Sequence, residues 1–253
     1  LNVIDGAVYI WTHNTLPSTA APDPFYGDYV RNYTAEDYAT VNKTGTTVTA
    51  GAASTRTRVP TAYIAAGQSF FIKSANTMPN GTTANVTFNN AMRETGQNNN
   101  FFKQVSTTKN ESIPRSIPDL EKHRIWLNLT NNADAFSQIL IGYIEGATKG
   151  LDRGFDGESL GGNNVTFYSV IPEAKLTIQG RNLPFDENDQ IALGYNAAVE
   201  GTYSIRIDHT DGLLDNQKIY LIDQLTQKTH DLRAKPYEFD SEEGDFNDRL
   251  ILR

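Results

Sequence analysis

Short segments in which apolar and polar residues alternate recur through the second half of the chain. In one of them Ile125, Leu127 and Leu129 fall on the same side of an extended backbone, and in another Tyr203 and Ile205 do so. This period of two is typical of a β-strand with one buried face. The segments are short and turn residues separate them, which predicts an all-β fold of the antiparallel β-sandwich type. A jelly-roll variant of that sandwich fits the pattern equally well.

The first half of the chain is also rich in predicted strands, but they are further apart. Residues 7–11, 63–73 and 84–88 have the composition of strands, and a polar stretch over residues 14–60 separates the first two. A loop of this length is unusual inside a compact domain. We therefore expect a looser β-rich module that is incomplete at its N-terminus.

The balance of charge changes part-way along the chain. Residues 1–118 hold 9 basic and 7 acidic side chains, whereas residues 119–253 hold 13 basic and 23 acidic ones. The change falls in a stretch that contains Pro114 and Pro118, and prolines disfavour regular structure. The sequence therefore predicts two jelly-roll-like β-sandwich modules in tandem: residues 1–110, a linker at 111–118, and a second module at 119–253.

Composition excludes several classes of protein. The chain has no cysteine, which excludes disulfide scaffolds, cysteine nucleophiles and thiolate metal sites. Its formal net charge of −8 argues against binding to nucleic acid, since phosphate binding needs a basic face. No apolar run is long enough to predict a membrane span. The chain starts at Leu1 without a methionine, which indicates a mature or excised piece of a longer protein.

Motifs for common catalytic chemistry are sparse. The chain has no His-Glu-x-x-His pattern, no Walker loop and no Gly-x-Gly-x-x-Gly fingerprint. No two of its histidines have the spacing of a local metal pair: His13, His123, His209 and His230. We therefore expect a protein that is not an enzyme, with no catalytic residues and with calcium as its one candidate cofactor.

The calcium prediction comes from an acidic loop in the second module. Asp152, Asp156 and Glu158 lie close together, and the segment from Asp152 to Gly157 partly matches the start of a calcium-binding loop. Hard cations need several oxygen ligands around a backbone bend, and these carboxylates can supply them. The match is incomplete, because Gly154 stands at the third position and Asn163 at the twelfth. The alternative is an ordinary acidic surface turn.

Aromatic residues in the first module raise a second possibility. Tyr9, Trp11 and Tyr26 belong to a group of rings that is flanked by polar residues. Exposed rings of this kind stack against sugars, because they combine an apolar face with polar edges. The three residues are therefore candidates for a glycan-binding platform. The alternative is that they fill a core and anchor loops.

Several long blocks of the sequence are similar to one family of bacterial surface proteins. They include residues 176–189, the segment from Ile219 to Asp223 with Thr229 to Leu232 after it, and Pro236 to Phe239 followed by Gly244 to Leu250. In the first module, Tyr9 to Thr15 and Ile64 to Ile72 fit the same proteins. Across nearly its whole length the chain resembles the C-terminal ectodomain region of flavobacterial (Bacteroidota) cargo proteins of the type IX secretion system with a type C sorting signal.

The resemblance implies a location more than an activity. Such cargo crosses the outer membrane and stays at the cell surface or is released, and many members look like adhesins. The implied partners are neighbouring modules of the same protein, other surface subunits, and the secretion machinery through a sorting domain that would follow Arg253. The family has no established catalytic residues to carry over to this sequence.

Two functions remain open on the sequence. The first is a non-catalytic β-sandwich region that acts as an adhesin tail, stalk or filament element outside the cell. The second is a carbohydrate-binding module attached to a secreted polysaccharide-degrading enzyme. In the first, Tyr237 and Phe239 seat a closing strand, and Arg249 pairs with a nearby acid such as Asp245 or Asp248.

Overall fold

The described strands form one small sheet and one large sheet. The computed structural model describes residues 3–12, 37–49, 60–61, 63–75, 77–96, 120–132, 135–161 and 165–253. In the small sheet, β1 (Val8–Trp11) pairs antiparallel with β2 (Tyr38–Val41). The large sheet contains the other strands: β3 (Lys122–Asn131), β4 (Phe136–Ile144), β5 (Gly157–Glu158), β6 (Val165–Ile171), β7 (Ala174–Arg181), β8 (Ile191–Ala197), β9 (Gly201–Asp211), β10 (Tyr220–Asp223), β11 (Lys228–Asp231), β12 (Tyr237–Ser241) and β13 (Gly244–Leu252).

The predicted all-β class is confirmed, but the large sheet is mixed. Its strand order is β11-β10-β13-β8-β6-β7-β4-β3-β9-β12, and β5 adds to β7. Most neighbours run antiparallel, whereas β4 and β7 run parallel. Within the residues that the structure describes, no helix is long and apolar enough to cross a membrane.

The two ends of the large sheet come close to each other. β11 and β12 are the terminal strands of the order, yet the rings of His230 and Tyr237 lie 5.1 Å apart. His230 Nε2 also donates a hydrogen bond to the backbone oxygen of Lys235 at 2.9 Å. The large sheet is therefore nearly a closed barrel, and the prediction of two sandwiches in tandem is not confirmed. The predicted linker at 111–118 lies outside the described residues, so that boundary stays a prediction.

The interior of the large sheet contains the alternating residues that the sequence placed on one face. Ile125, Leu127 and Leu129 of β3 are buried together with Tyr203 and Ile205 of β9, and all five belong to the same core. The two strands pair in register with Leu129 opposite Ile205. The alternate positions of β3, including Arg124, Trp126 and Asn128, lie on the opposite, outer face of the sheet, as the period of two requires.

The closing strand behaves as the sequence predicted, but the partner of Arg249 differs. Tyr237 and Phe239 of β12 are buried, and Glu238 and Asp240 are exposed. Arg249 pairs with Asp223 on β10, with its Nη2 atom 2.9 Å from Asp223 Oδ2. The predicted pairing with Asp245 or Asp248 is therefore wrong. Arg249 reaches Asp223 because β13 and β10 are hydrogen-bonded neighbours, with Leu250 opposite Asp223.

Asp223 and Arg249 form a buried clasp near the closure of the sheet. Asp223 also accepts hydrogen bonds from the Tyr237 hydroxyl at 2.8 Å and from the backbone N–H of Leu225 at 2.9 Å. Arg249 Nη1 donates to the Tyr195 hydroxyl and to the backbone oxygen of Asp240, both at 3.0 Å. Burial alone would raise the pKa of Asp223, but the hydrogen bonds from Arg249 and Tyr237 hold it below its usual value. The clasp thereby joins β8, β10, β12 and β13.

The small sheet is extended by a third segment. The backbone N–H of Tyr9 donates to Phe71 O at 2.9 Å, and the N–H of Phe71 donates to Tyr9 O at 2.8 Å. Asp5 N donates to Lys73 O at 3.0 Å, so residues 71–75 run alongside the start of the chain. The predicted strand at 63–73 is thus partly present. The predicted strand at 84–88 is wrong, because those residues are exposed and pair with no strand among the described residues.

Replacing Arg249 tests the clasp. Arg249→Ala leaves the buried carboxylate of Asp223 without its cation, which costs about 3–5 kcal/mol of the free energy of unfolding. The exposed Arg206 of β9 provides the control, and Arg206→Ala should change that free energy by less than about 0.5 kcal/mol. Urea denaturation followed by tryptophan fluorescence measures both. Equal stability of the two variants would contradict a structural role for the clasp.

Candidate functional site

The small sheet lies against the outer face of the large sheet, and the candidate site residues gather at this junction. Trp126 Nε1 donates a hydrogen bond to the backbone oxygen of Thr46 at 2.8 Å, and Arg124 Nη1 donates to Thr44 O at 3.0 Å. The backbone N–H of Val48 donates to Gln138 Oε1 at 2.9 Å. Segment 42–49 is therefore held by side chains of β3 and β4 that point away from the barrel interior.

A second, smaller core lies on the same face. Trp126, Leu140 and Ile178 are buried in contact with one another, although they project from the outer side of the large sheet. Gly45 of segment 42–49 lies against Leu140 and Trp126, and Gly157 lies against Ile178, so these contacts help to remove the three apolar side chains from water. The two sequence modules therefore share buried surface in the described residues.

Residues 152–158, here called the joint loop, make the remaining contacts of this junction. Lys43 N donates to Gly154 O at 2.9 Å. The backbone oxygen of Phe155 accepts hydrogen bonds from Asn42 Nδ2 at 2.9 Å and from Thr44 Oγ1 at 2.6 Å. On the other side, Gly6 approaches so closely that a Cβ atom there would lie 2.1 Å from Gly154 N. Gly6 has a φ of +98°, so both backbone conformation and space favour glycine there.

Asp156, a predicted calcium ligand, is the internal brace of the joint loop. Its side chain is buried, Oδ1 accepts a hydrogen bond from Gly180 N at 2.7 Å, and Oδ2 accepts one from Asp152 N at 2.5 Å. Burial raises the pKa of Asp156 to about 7, although the two backbone donors act in the opposite direction. The carboxyl group therefore ties the loop to β7.

The other two predicted calcium ligands have separate partners. At the start of the joint loop, the Asp152 carboxylate accepts a hydrogen bond from the N–H of Thr148, which precedes the loop. At its end, Glu158 forms an ion pair with Lys73. The three carboxylates thus lie in one loop but bind different groups. No three acidic or histidine side chains converge on one point in the part of the chain that the structure describes. Calcium stays a prediction, which a rise in melting temperature on adding the ion, reversed by EDTA, would test.

The predicted glycan residues have different environments. Tyr9 is buried, and its hydroxyl donates hydrogen bonds to the carboxylate of Asp5 and to the backbone oxygen of Glu158. Burial and the neighbouring Asp5 raise the pKa of Tyr9. A ring in this position has no face for a sugar, so Tyr9 is a junction residue. Trp11 is 42% exposed, and Tyr26 lies outside the described residues.

Two further rings join Trp11 on the surface of the small sheet. Tyr38 is the cross-strand neighbour of Trp11, and Phe71 is 57% exposed. The rings of Tyr38 and Phe71 meet edge to face, with their centroids 5.4 Å apart. We call Trp11, Tyr38 and Phe71 the ring surface. The sequence marked Phe71 as part of a strand but did not show which face of that strand is exposed.

A narrow polar crevice of about 50 Å³ lies beside the ring surface. Tyr38 forms part of its wall, and the rest is mainly hydroxyl and amide side chains, including Thr40, Thr47, Ser137, Gln138, Ser159 and Thr166. Five threonines from the small-sheet region and the large sheet line the crevice: Thr40, Thr47, Thr49, Thr166 and Thr177. Polar walls of this kind can hold water or the hydroxyl groups of a ligand.

Ser159 also belongs to a pattern that sequence reasoning overlooked. Residues 157–161 read Gly-Glu-Ser-Leu-Gly, the spacing of the nucleophile elbow of α/β-hydrolases. That elbow requires a sharp turn from a strand into a helix. Here Ser159 follows the two-residue strand β5, and its backbone N–H donates to Lys175 O at 2.9 Å. The structural context of the elbow is therefore not met.

The described histidines have structural partners. His123 Nδ1 accepts a hydrogen bond from Leu213 N at 3.2 Å. The ring of His209 stacks on Trp126 at 3.9 Å, while its Nδ1 atom lies 2.7 Å from the carboxylate of Asp208. His13 lies outside the described residues. The contacts of His123 and His209 hold neighbouring strands and turns in place.

Fold and junction together define a class: an all-β protein in which a small sheet is fixed by side-chain hydrogen bonds to the outside of a nearly closed large sheet. Comparison with family models places this chain more narrowly. The family described as a domain of unknown function, DUF8693, matches residues 1–253, and the chain belongs to that family. No curated protein and no solved structure matches the chain.

Protonation of Asp156 gives the junction a testable pH dependence. Its folded-state pKa of about 7 lies above the ordinary value of 3.8, so the folded protein holds this proton more tightly than the unfolded chain does. The associated stability is complete below about pH 4 and is lost as the pH rises to about 7. In Asp156→Asn, the fall of the unfolding free energy over this range should be shallower by up to about 1.4 kcal/mol per pH unit.

Urea denaturation at a series of pH values measures this difference. The exposed Asp248 of β13 provides a matched control, because Asp248→Asn removes a carboxylate that is not buried. Its pH profile should follow that of the unchanged protein. If Asp156→Asn followed the same profile, ionisation of the buried carboxyl group would have no part in stability.

Proposed function

We propose that this chain is a non-catalytic, secreted or cell-surface β-module of a type IX secretion cargo, acting as an adhesin tail, stalk or filament element. The observation that carries the proposal is the way its buried ionisable groups are used. Asp223 is bound by Arg249, Asp189 by Arg181 at 2.6 Å, and Asp156 by two backbone N–H groups. These groups bind one another or the backbone and so stabilise the fold.

The junction supports the same role. A stalk or adhesin tail has to transmit force without separating its parts, and the joint loop ties the small sheet to the large one through several hydrogen bonds and an ion pair. Each neutral hydrogen bond contributes about 0.5–1.5 kcal/mol, so together they make the junction a substantial barrier to separation. In the proposed architecture the small sheet is the described part of a first jelly-roll-like sandwich, and the large sheet is the second.

The proposed location is the outer surface of a Gram-negative bacterium. The proposed partners are neighbouring modules of the same protein, other surface subunits, and the type IX machinery through a sorting domain beyond Arg253. The excess of acidic over basic side chains supports the exclusion of nucleic acid as a partner, because it repels phosphate. The support for secretion by this route is the sequence resemblance.

Surface labelling of intact producing cells tests the location. An antibody against the chain should stain unpermeabilised cells or detect the protein in the medium, and external protease should remove the cell-bound signal. In a strain that lacks the outer-membrane channel of type IX secretion, the protein should remain in the periplasm. A periplasmic marker that stays protected in both strains provides the control. Retention in the cytoplasm of the unmodified strain would contradict the proposal.

A carbohydrate-binding module is the second candidate function. The observation that favours it is the ring surface, where Trp11 and Phe71 are substantially exposed next to Tyr38. The polar crevice beside Tyr38 adds hydroxyl and amide groups within the same region. Aromatic faces next to polar groups are the chemistry that sugars require.

Polysaccharide binding distinguishes the two functions. If the chain is a carbohydrate-binding module, a polysaccharide panel should retain it, and Trp11→Ala and Phe71→Ala should each weaken retention by about three- to tenfold, since ring contacts contribute about 0.5–1.5 kcal/mol. Phe88 is an exposed ring outside the ring surface, so Phe88→Ala is the matched control. Uniform absence of retention would remove this second function and leave the first. Hydrolysis of the panel by the purified chain would contradict both.

A further inference from the structure

A pocket opens at one end of the large sheet, and it shares no lining residue with the polar crevice. Its volume is about 50 Å³, and its floor is mainly aliphatic. The aliphatic side chains are those of Ile125, Ile141, Ile191, Leu214, Ile219 and Leu252, and Tyr143, Gln217 and Asp189 add polar groups. Ile125, Ile141, Ile191 and Leu252 belong to the main core, so this end pocket is an opening into the interior of the nearly closed sheet.

The floor of the end pocket suits an aliphatic group. Protein interiors are normally packed without voids larger than a water molecule, and an apolar cavity of about 150 Å³ can admit benzene. A smaller apolar opening suits the branched end of an aliphatic chain. Phe185 lies at the mouth, where its ring meets the ring of Tyr143 edge to face at 4.7 Å. Water bonds poorly to the aliphatic part of these walls, so an apolar group is the favoured occupant there.

The rim of the end pocket carries charges of both signs. Asp186 and Glu187 come from the loop between β7 and β8, whereas Lys218 and Arg253 come from segments beside β10 and at the end of β13. All four residues are exposed. A ligand seated in the pocket therefore meets these four exposed charges above an aliphatic floor. The carboxylate of Asp189 also lines the pocket, but it is paired with Arg181 and Lys149.

We propose that the end pocket binds an aliphatic α-amino acid, either free or as the terminal residue of a peptide. The branched side chain enters the aliphatic floor. The carboxylate is recognised by Lys218 and Arg253, and the ammonium group by Asp186 and Glu187. This charge complementarity selects a zwitterion over a hydrocarbon or a simple fatty acid. The binding role does not depend on secretion, adhesion or sugar binding.

Methyl NMR of the whole chain with labelled isoleucine tests the proposal without changing the protein. Adding leucine should shift the methyl signals of Ile125, Ile141 and Ile191 in a saturable way. Ile10 of the small sheet and Ile178 of the outer core should not shift. Glycine has the same charges but no side chain and should produce no shift at the pocket. Shifts spread over all these methyl groups, or no shift at the pocket with leucine, would overturn the proposal.

Analogues of leucine separate the two sources of the ligand. Leucinamide keeps the ammonium group and represents the N-terminus of a peptide, while N-acetyl-leucine keeps the carboxylate and represents a C-terminus. A free amino acid as the natural ligand predicts that each analogue binds about two- to fivefold more weakly than leucine, since exposed ion pairs are weak. Equal binding of one analogue assigns the pocket to that peptide end. Equal binding of both would overturn the role of the rim charges.

A charge variant completes the test. Lys218→Gln should weaken leucine binding about two- to fivefold and leave leucinamide binding unchanged, because leucinamide has no carboxylate. Lys228 is an exposed lysine of β11 that does not contact the end pocket, so Lys228→Gln is the matched control. Both variants exchange exposed side chains, and their melting temperatures should match that of the unchanged protein. Equal weakening of leucine and leucinamide by Lys218→Gln would contradict recognition of the carboxylate.

Discussion

Closure of the large sheet depends on burying an ion pair at the place where its ends approach. Asp223 and Arg249 come from neighbouring strands, but their additional hydrogen bonds reach Tyr237 on β12 and Tyr195 on β8. A buried charge without a partner is very costly, so each member of the clasp fixes the position of the other. The guanidinium group also lies 4.6 Å from the centre of the Phe239 ring. The clasp therefore holds β12, the closing strand, through polar contacts close to the packed rings of Tyr237 and Phe239.

At the junction, on the outer face of the large sheet, polar groups are likewise paired with one another. Main-chain carbonyls outside the strands are used as acceptors: Thr44 and Thr46 accept from β3, and Phe155 accepts from the small-sheet side. Such groups need a partner once they are removed from water. Side chains donate these hydrogen bonds, so Trp126 and Arg124 determine where segment 42–49 docks. Residues 1–118 and 119–253 differ in charge, but their described parts are in contact with each other.

Strands with one buried face could be predicted from their alternation, whereas alternation does not identify a strand that is buried on both faces. β3 and β9 alternate in sequence because one face meets the core, and the predicted inward residues Leu127 and Ile205 are fully buried. β6 is buried along nearly all of its length and lacks that alternation, so periodicity alone does not distinguish it from other apolar runs. Closure of the sheet could not be predicted from the sequence either. It depends on which strands meet and not on the pattern within any one strand.

The candidate site shows the same limit for side chains. Three acidic residues lie at close spacing in residues 152–158, but sequence does not show whether a carboxylate faces an ion or a backbone N–H. Asp156 accepts two such N–H groups, and Tyr9 is buried while its neighbour on the same strand face, Trp11, is exposed. The difference arises because Asp5 and Glu158 cover Tyr9 at the centre of the junction, whereas Trp11 lies at the end of β1. Partners distant in sequence, more than residue type, decide which acids and rings stabilise the fold and which are accessible to a ligand.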